Sequence, residues 1–370
     1  MIMAAGVGTR LDPLTQKVPK PLVPVANKPI MDLILRHIKK FGITDVIANT
    51  HYLGDLIHDY FDQTNDLGIN LNYMYEDKLS GTAGGVKKCE WFFEPGETFI
   101  VVSGDALTDV NLEELIKKHK SSGAIATMAL KRIPLSEVSH FGVVVIDDNF
   151  RVIEFQEKPD VSEAKSNFVN TGIYIFETEI FKFIPENQFY DFAKNVFPAV
   201  MASDHFLSAY VIDEYWSDIG TIAQYRMSMC DVLNGKIHTN TAYKHIDGGW
   251  YSEDSVISPN AVNNGKVVVG KGSVIEGNTQ FFGYSSIGSN CIIKEGAQIR
   301  NSIIWDNVII EKGVKLDGCI IASNSKIGEK SILMPGCIIP DGCTIAPNQK
   351  LADDFKFQEG LDCDSQAISA

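Results

Sequence analysis

Every sixth residue in the C-terminal third of this 370-residue chain is apolar, over two long stretches. The first stretch consists of Val269, Ile275, Phe281, Ile287, Ile293, Ile299 and Trp305. After a slip of four residues, the spacing resumes with Ile321, Ile327, Leu333, Ile339 and Ile345. A six-residue unit of one short strand and one turn is typical of a parallel β-helix, whose triangular coils each use three such units. We therefore predict that residues 251–349 form a parallel β-helix, with these side chains pointing into the prism.

Residues 1–232 show a different pattern, in which short apolar runs alternate with amphipathic stretches. The apolar runs lie at 46–49, 71–75 and 98–102, and the amphipathic stretches lie at 30–41 and 53–61. Strands that alternate with helices predict an α/β domain of parallel βαβ units, with helices on both faces of the sheet. Ligands of such domains bind at the carboxyl ends of the strands. Turn-forming residues predict a linker at 233–250, and the polar residues 350–370 are expected to form a tail.

A glycine-rich turn, Gly6-Val7-Gly8-Thr9-Arg10, follows the first apolar run of the chain. The N–H groups of such a turn at the end of a strand can hold a polyphosphate against the backbone. Arg10, together with Lys20 in Pro19-Lys20-Pro21, adds positive charge. A lone Gly-x-Gly motif is more often a simple tight turn. This short motif alone therefore leaves both a phosphate site and a plain turn open.

The net charge of −14 limits the partners that this chain can attract. An acidic surface repels the phosphates of nucleic acids and of anionic membranes, so we expect neither as a partner. No apolar run approaches the ~20 residues that a transmembrane helix requires. Seven cysteines without a C-x-x-C pair argue against zinc and indicate free thiols in a reducing compartment. We therefore expect a cytoplasmic protein, and one that needs a divalent cation if it binds a triphosphate.

The glycine-rich turn is the start of a longer motif. Residues 6–15 read GVGTRLDPLT, and residues 18–25 read VPKPLVPV. This combination resembles the opening signature of the sugar-1-phosphate nucleotidyltransferases, a family in which a hexapeptide-repeat domain often follows. The resemblance implies an α/β fold, a Rossmann-like domain with a mixed or parallel sheet, followed by a left-handed parallel β-helix. It also implies transfer of a nucleotidyl group from a nucleoside triphosphate to a sugar 1-phosphate, with release of pyrophosphate.

Two aspartates match the metal-binding positions of this family. Asp105 follows the apolar run at 98–102, and Asp218 lies in the sequence WSDIGT at 216–221. The resemblance implies that both bind Mg²⁺ and that Arg10 and Lys20 are catalytic residues beside them. It implies that the nucleotide is bound by Ala4, Ala5, Gly6, Gly8, Thr9, Arg10, Glu76, Gly81 and Thr82.

Three further segments resemble the family's sugar-phosphate site. Phe155-Gln156-Glu157-Lys158-Pro159 matches its F-x-E-K-P motif, which implies that Glu157 contacts a sugar hydroxyl and Lys158 the sugar phosphate. Asn170 and Gly172 lie in a matching N-T-G-I-Y segment, and Gly142 lies in a matching F-G-V segment. A charge pair such as Glu157 and Lys158 is more often a solvated turn, so the residues alone leave both possibilities open.

The choice of base is predicted to depend on Glu76. A carboxylate can accept two parallel hydrogen bonds from N1–H and N2–H₂ of guanine, whereas uracil and thymine offer only N3–H. The motifs most resemble those of the mannose-1-phosphate guanylyltransferases, so we expect GTP and mannose 1-phosphate as substrates. A glucose-1-phosphate uridylyl- or thymidylyltransferase shares every motif quoted above and is the alternative.

Two other classes of protein remain open. Many parallel β-helices are acyltransferases that use a histidine of the helix as general base, but all eight histidines precede the repeats here. A non-catalytic subunit that binds a nucleotide-sugar is the other alternative, although Arg10, Lys20, Asp105 and Asp218 argue against a lost active site. The β-helix is expected to mediate homo-oligomerisation, because its long walls can pack against other copies.

Overall fold

A computed structural model describes residues 1–64, 66–237, 243–246 and 248–351. The chain divides into two compact units. The first consists of Met1–Val7, Pro19–Pro21 and Ile30–Ile219, and the second consists of Gly8–Val18, Leu22–Pro29 and the chain from Gly220 onward. The N-terminal signature is therefore divided between the two units.

The described residues form six α-helices: α1 (Ile30–Lys39), α2 (Gly54–Gln63), α3 (Gly81–Lys88), α4 (Leu112–Ser122), α5 (Phe197–Met201) and α6 (Ile222–Leu233). Within the described ranges, no helix combines the length and the apolar character needed to cross a bilayer. The strands up to residue 218 are β1 (Ile2–Met3), β2 (Pro24–Val25), β3 (Lys28–Pro29), β4 (Asp45–Thr50), β5 (Asn70–Tyr75), β6 (Thr98–Ser103), β7 (Ala106–Thr108), β8 (Ala126–Arg132), β9 (Gly142–Ile146), β10 (Val152–Glu157), β11 (Phe168–Glu177), β12 (Leu207–Ile212) and β13 (Trp216–Asp218).

The later strands are short and closely spaced. They are β14 (Lys244–Ile246), β15 (Gly249–Tyr251), β16 (Val256–Ile257), β17 (Val262–Val269), β18 (Val274–Ile275), β19 (Gln280–Ile287), β20 (Ile292–Ile293), β21 (Gln298–Arg300), β22 (Ile303–Ile304), β23 (Ile309–Ile310), β24 (Lys315–Asp317), β25 (Ile320–Ile321), β26 (Lys326–Ile327), β27 (Ile332–Leu333), β28 (Ile338–Ile339), β29 (Thr344–Ile345) and β30 (Lys350–Leu351).

A nine-stranded mixed sheet forms the centre of the first unit, in the order β10-β9-β11-β6-β1-β4-β5, with β8 joined to β11 and β12 joined to β8. Strand β1 lies parallel between β4 and β6, with Ile2 opposite both Ala48 and Val102. Strand β11 runs antiparallel to β6, β8 and β9. The predicted α/β domain is confirmed, and its parallel βαβ part places the carboxyl ends of β1, β4, β5 and β6 at one edge.

Stacked aromatic rings fill the core of the first unit. Phe99 on β6 stacks on Phe181, with ring centroids 5.3 Å apart, and Phe176 on β11 stacks on Phe192 at 5.1 Å. Phe197 of α5 continues this stack from Phe192 at 5.5 Å. Because large buried rings contribute much of the apolar area in a core, these contacts fix the segment around residue 192 against the sheet. That segment supplies one side of the site described below.

The second unit contains the predicted parallel β-helix, whose coils have two lengths. Ile275 lies opposite Ile293, 18 residues later, but Ile293 lies opposite Ile310, only 17 residues later. The interior of the helix is a continuous column of buried apolar side chains that includes Ile304 and Leu316. The six-residue step is therefore shortened to five before Ile304, and the prediction that Trp305 points into the prism is wrong.

Trp305 lies one position past the interior residue and meets a helix of the same unit. It is buried, and its indole N–H donates to the hydroxyl of Tyr225 on α6 at 3.0 Å. The predicted slip of four residues is replaced by two five-residue steps. The first ends at Ile304, and the second ends at Ile321, which lies opposite Ile304. The period alone gave the wrong register because an indole with a polar N–H satisfies the apolar pattern equally well.

The ends of the β-helix differ from the predicted boundaries. Strands β14 and β15 lie within the predicted linker 233–250, where β15 pairs in parallel with β17 and so extends the first coil. Strand β30 lies within the predicted tail and pairs with β27. Helix α6 belongs to the second unit, although most of it lies within residues 1–232, which were predicted to form the first domain. The remainder of the predicted tail, 352–370, lies outside the described residues, as do 238–242 and 247.

Adjacent isoleucines on β20 provide a test of this register. Ile293 is fully buried in the prism, whereas Ile292 is 37% exposed on the outer wall. Replacing Ile293 with alanine should lower the free energy of unfolding by about 2–5 kcal/mol, because it leaves a cavity. The matched change Ile292→Ala should cost less than about 1 kcal/mol. Urea unfolding followed by circular dichroism measures both, and equal losses would contradict the register.

Candidate active site

A cavity of about 340 Å³ opens at the carboxyl edge of β1, β4, β5 and β6, and all of its lining belongs to the first unit. Cavities of this size are in the range that holds small ligands. The predicted site residues in its wall are Ala4, Ala5, Gly6, Lys20, Glu76, Gly81, Thr82 and Asp105. The other wall residues had no predicted role and include Asn49, Leu79, Ser103, Phe189 and Asp191. The structure therefore brings the first-unit part of the predicted nucleotide site together around one space.

Lys20 lies between the two predicted metal-binding aspartates. Its ammonium donates to Oδ2 of Asp105 and lies 3.8 Å from Oδ1 of Asp218. The two acidic residues approach each other because β7 and β13 pair antiparallel, with Ala106 opposite Asp218. The lysine is only 9% exposed, so its charge acts in a largely desolvated place.

The carboxyl group of Asp105 is held in its ionised form. Burial raises its pKa, but the charge and hydrogen bond of Lys20, together with a hydrogen bond from the hydroxyl of Ser103, lower it by more. The net pKa is below the ordinary value of an aspartate. By linkage, the resulting contribution to stability is present at neutral pH and is lost as the pH falls through that lowered pKa.

The donor set of this centre fits the magnesium ion expected from the sequence. Carboxylates of Asp105 and Asp218 both reach one cation, the ammonium of Lys20. Mg²⁺ is commonly bound by one or two carboxylates, with water and substrate phosphates as the other ligands. Among the described residues, no group of three or more histidine, cysteine, aspartate or glutamate side chains is arranged to enclose a metal. The two aspartates therefore suit an ion that a phosphate substrate completes.

Glu76 lies in the cavity wall with one of its oxygens already saturated. Its Oε2 accepts hydrogen bonds from the backbone N–H of Ser80 at 3.1 Å, from the Ser80 hydroxyl and from Lys88 at 3.3 Å. Its Oε1 accepts one hydrogen bond, from the amide of Asn49 at 2.7 Å. The residue is 1% exposed. Because a carboxylate oxygen has about two acceptor sites, only Oε1 can take a further donor.

Asn49 joins two walls of the cavity and had no predicted role. Its Oδ1 accepts the backbone N–H of Ala4 at 3.0 Å, while its Nδ2 donates to Glu76. It is the penultimate residue of β4, at the carboxyl end of a strand where ligands of parallel sheets bind. That position was a usable signal, since the apolar run at 46–49 ends on this polar residue.

The loop with Gly81 and Thr82 closes one side of the cavity. Gly81 has φ of 79°, and a Cβ there would overlap the carbonyl of Tyr190, so only glycine fits without strain. Thr82 donates from its hydroxyl to Asp191 at 2.9 Å. The backbone N–H groups of Ala83 and Gly84 donate to the Tyr190 carbonyl. These contacts hold the start of α3 to the segment that the aromatic core fixes.

Three of the predicted sugar-site residues form a second cluster. Gly142 lies opposite Glu157 in the β9–β10 pair, and a Cβ on Gly142 would lie 3.3 Å from Glu157 Oε2 and 4.0 Å from the Cβ of Asn170. Asn170 accepts the N–H of Gly172 at 3.1 Å and donates to the hydroxyl of Tyr174 at 2.7 Å. The structure thus brings Gly142, Glu157 and Asn170 together.

Gly172 links this cluster to the acidic centre. It has φ of 74°, and a Cβ there would lie 2.9 Å from the Cβ of Ser103, the residue that donates to Asp105. The indole N–H of Trp216 donates to the carbonyl of Thr171 at 3.0 Å, which ties the strand of Asp218 to the same bend. Lys158 is exposed in the turn after β10, with its ammonium 3.9 Å from Glu157 Oε1.

Gly8, Thr9 and Arg10 belong to the second unit. Gly8 has φ of 77° and begins a short 3₁₀ turn, Thr9–Leu11, in which Arg10 is exposed. The carbonyl of Gly8 accepts the hydroxyl of Thr15 at 2.9 Å. The roles expected of these three residues stay predictions.

Comparison with known proteins gives matches over both parts of the chain. A family described as "Nucleotidyl transferase" matches residues 1–235, and one described as "EIF2B subunit epsilon LbH domain" matches residues 247–351. A UTP–glucose-1-phosphate uridylyltransferase of Synechocystis sp. is 37% identical over 331 residues, which cover 85% of each chain. A mannose-1-phosphate guanylyltransferase of Mycobacterium tuberculosis is 29% identical over 318 residues, which cover 86% of this chain and 82% of that one.

A solved structure supports the fold. The crystal structure of HddC from Yersinia pseudotuberculosis superimposes with a TM-score of 0.54 at 24% identity, covering 62% of this chain and 96% of that chain. The match to an LbH domain agrees with the coils described above, and it identifies the β-helix as left-handed.

The electrostatic role of Lys20 can be measured on Asp105. Replacing Lys20 with methionine should raise the pKa of Asp105 above its ordinary value, because burial and the neighbouring Asp218 remain while the compensating charge is lost. Carboxyl ¹³C NMR titration, assigned with an Asp105→Asn variant, gives this pKa. The matched control is Lys165→Met, an exposed lysine whose ammonium lies 2.6 Å from Glu154. An unchanged pKa in the Lys20 variant would contradict the described pairing.

Proposed function

The chain belongs to the sugar-1-phosphate nucleotidyltransferase family, and we propose that it transfers the uridylyl group of UTP to glucose 1-phosphate. The products are UDP-glucose and pyrophosphate. The choice of base rests on one observation, that donors from Ser80 and Lys88 already occupy Oε2 of Glu76. The similarity to the uridylyltransferase of Synechocystis sp. supports the same choice and is the reason for naming glucose 1-phosphate.

The free acceptor of Glu76 favours a base with a single donor. Guanine recognition by a carboxylate needs both oxygens, one for N1–H and one for N2–H₂. Only Oε1 of Glu76 can take another donor, so guanine would leave one N–H group without a partner at a cost of about 1–3 kcal/mol. Uracil offers N3–H alone, which one oxygen satisfies. The expected preference for GTP and mannose 1-phosphate is therefore replaced by one for UTP.

The reaction needs positioning and charge neutralisation more than covalent chemistry. An oxygen of the sugar phosphate attacks the α-phosphorus of UTP in line, and the bond from that phosphorus to the oxygen of the leaving pyrophosphate breaks. Lys20 is placed to stabilise the negative charge on the phosphates, because its ammonium lies in the desolvated wall of the cavity. The backbone at Ala5 and Gly6 would hold the phosphates. The catalytic role of Arg10 stays a prediction of the sequence.

We assign Asp105 and Asp218 as the ligands of Mg²⁺. When bound, the ion would neutralise charge on the α-phosphate and the sugar phosphate. Ser103 keeps the Asp105 carboxylate oriented by donating to its Oδ1. Gly172 lies between these residues and the sugar cluster. It approaches Ser103 so closely that position 172 has no room for a side chain.

The cluster of Gly142, Glu157 and Asn170 is the proposed sugar site. Glu157 can accept hydrogen bonds from sugar hydroxyls, and the missing side chain at Gly142 leaves space beside its carboxylate. The side chain of Lys158 is exposed, so its ammonium can turn toward the sugar phosphate. Assembly of copies through the β-helix and a cytoplasmic location stay expectations of the sequence.

The base proposal is tested by turnover of UTP, dTTP, CTP, GTP and ATP with glucose 1-phosphate. The value of kcat/KM for UTP should exceed that for GTP by at least about tenfold, the equivalent of one unpaired buried donor. A preference for GTP would contradict the proposed base and leave the assignment to the family intact.

A Glu76→Gln variant sharpens this test. The Ser80 and Lys88 donors keep the amide oxygen on their side, so the new NH₂ group would occupy the position of Oε1 and oppose uracil N3–H. Cytosine has an acceptor at N3, and the ratio of kcat/KM for UTP over CTP should therefore fall by at least about tenfold. The exposed Glu113→Gln is the matched control. An unchanged ratio would remove Glu76 from the base site.

The metal assignment is tested by Asp105→Asn and Asp218→Asn. Each change removes one anionic ligand while keeping its shape, so kcat should fall by at least about 100-fold. The Mg²⁺ concentration needed for half-maximal activity should rise as well. Steady-state kinetics over a range of Mg²⁺ measures both effects, with the exposed Asp148→Asn as the control. Near-normal kcat in either variant would exclude that carboxylate as a ligand.

A further inference from the structure

Lys20 lies in a three-residue piece of the first unit that is flanked on both sides by the second unit. Pro19–Pro21 belongs to the first unit, whereas Gly8–Val18 before it and Leu22–Pro29 after it belong to the unit that contains the β-helix. The position of the lysine is therefore constrained through both of its chain connections. The contacts that hold the two flanks determine how firm this constraint is.

The flank after Lys20 is a tight hairpin fastened to a coil of the β-helix. Strands β2 and β3 pair antiparallel, and the turn between them places Asn27 at φ of 64°. The amide Nδ2 of Asn27 donates to the carbonyl of Ile287 at 2.6 Å, and its Oδ1 accepts the hydroxyl of Ser286 at 2.8 Å. One side chain thus clamps two successive residues of β19.

A second set of contacts holds the base of the same hairpin. The hydroxyl of Tyr225 on α6 donates to the carbonyl of Pro24 at 2.7 Å and accepts the indole N–H of Trp305 at 3.0 Å. Both aromatic residues are buried. These hydrogen bonds connect Trp305, the residue after β22, to Pro24 of β2 by way of Tyr225 on α6.

The flank before Lys20 is tied to a later coil. The ammonium of Lys17 donates to the carbonyl of Asp341 at 3.2 Å and lies 3.6 Å from its carboxylate. Asp341 also ends a row of corner residues in which Asn290, Asn307 and Asn324 each donate to the next coil. Lys17 is mostly exposed, so this tie is weaker than the clamp at Asn27.

We propose that the β-helix positions Lys20 for nucleotidyl transfer, with Asn27 as the main positioning residue. The β-helix would then take part in catalysis indirectly, in addition to any role in assembly. Asn27 touches neither substrate nor metal in this account and acts by fixing the hairpin to which Lys20 is joined. The inference rests on the role proposed above for Lys20, but it does not depend on the identity of the base.

The test compares Asn27→Gly with Asn278→Gly in the full chain. Glycine accepts the positive φ of both positions, 64° and 58°, so the backbone is retained and only the side chain is lost. Asn278 lies in the same unit and is exposed. Reactivity of Lys20 toward acetic anhydride is followed by peptide mass spectrometry, with the exposed lysines as internal standards, and kcat is measured with the triphosphate that the wild type prefers.

Asn27→Gly should raise the labelling rate of Lys20 at least about fivefold and lower kcat by a similar factor, while Asn278→Gly changes neither. KM for the sugar phosphate should change by less than kcat does. Unchanged Lys20 labelling with the Asn27 variant would overturn the proposal. If Lys20→Ala alone keeps full activity, the role of Lys20 fails instead, and the labelling result still decides whether the clamp exists.

A milder variant covers the case in which Asn27→Gly does not fold. Ser286→Ala removes one donor to the Asn27 side chain and leaves the prism unchanged, because only the hydroxyl is lost. It should raise Lys20 labelling in the same direction by a smaller factor. Wild-type labelling of Lys20 in a folded Ser286→Ala protein would also count against the proposal.

Discussion

The placement of one ammonium group between two carboxylates is the interaction on which the rest of this structure depends. Lys20 reaches Asp105 and Asp218 only because β7 and β13 pair beside the end of β6. A buried charge of either sign would be costly alone, and here the buried ammonium and the two partly buried carboxylates compensate one another. In the proposed function, these carboxylates would bind a divalent ion in place of the lysine, and the lysine would meet a phosphate of the substrate.

The proposed base site at Glu76 also depends on compensation of a buried charge. Glu76 is buried, so its carboxylate needs donors, and Ser80, Lys88 and Asn49 supply them. The same hydrogen bonds that make burial of Glu76 tolerable leave one acceptor site for a ligand. In the proposed function, selectivity for a base would follow from how the protein satisfies its own buried carboxylate.

Much of the site could be predicted from sequence because its residues follow apolar runs at strand ends. Asp105, and the glycines that approach neighbouring backbone, are recognisable in this way. The hydrogen-bond partners of Glu76 could not be predicted, because only the tertiary fold brings Asn49 and Lys88 to it. The position of Trp305 was predicted wrongly because a six-residue spacing of apolar residues does not fix which of two neighbours faces the interior. The contact of Asn27 with β19 could not be predicted either, because no local sequence pattern indicates it. Division of the signature between two units likewise appears only in the folded chain.

A single-turnover rapid-quench measurement with UTP and glucose 1-phosphate tests the central assignment most directly. It follows formation of UDP-glucose on wild type and on Lys20→Ala, separately from product release. Loss of the ammonium should slow this step by at least about 100-fold, while the affinity for UTP should change by no more than about tenfold. A single-turnover rate equal to that of the wild type would contradict a catalytic role for the lysine between the two aspartates.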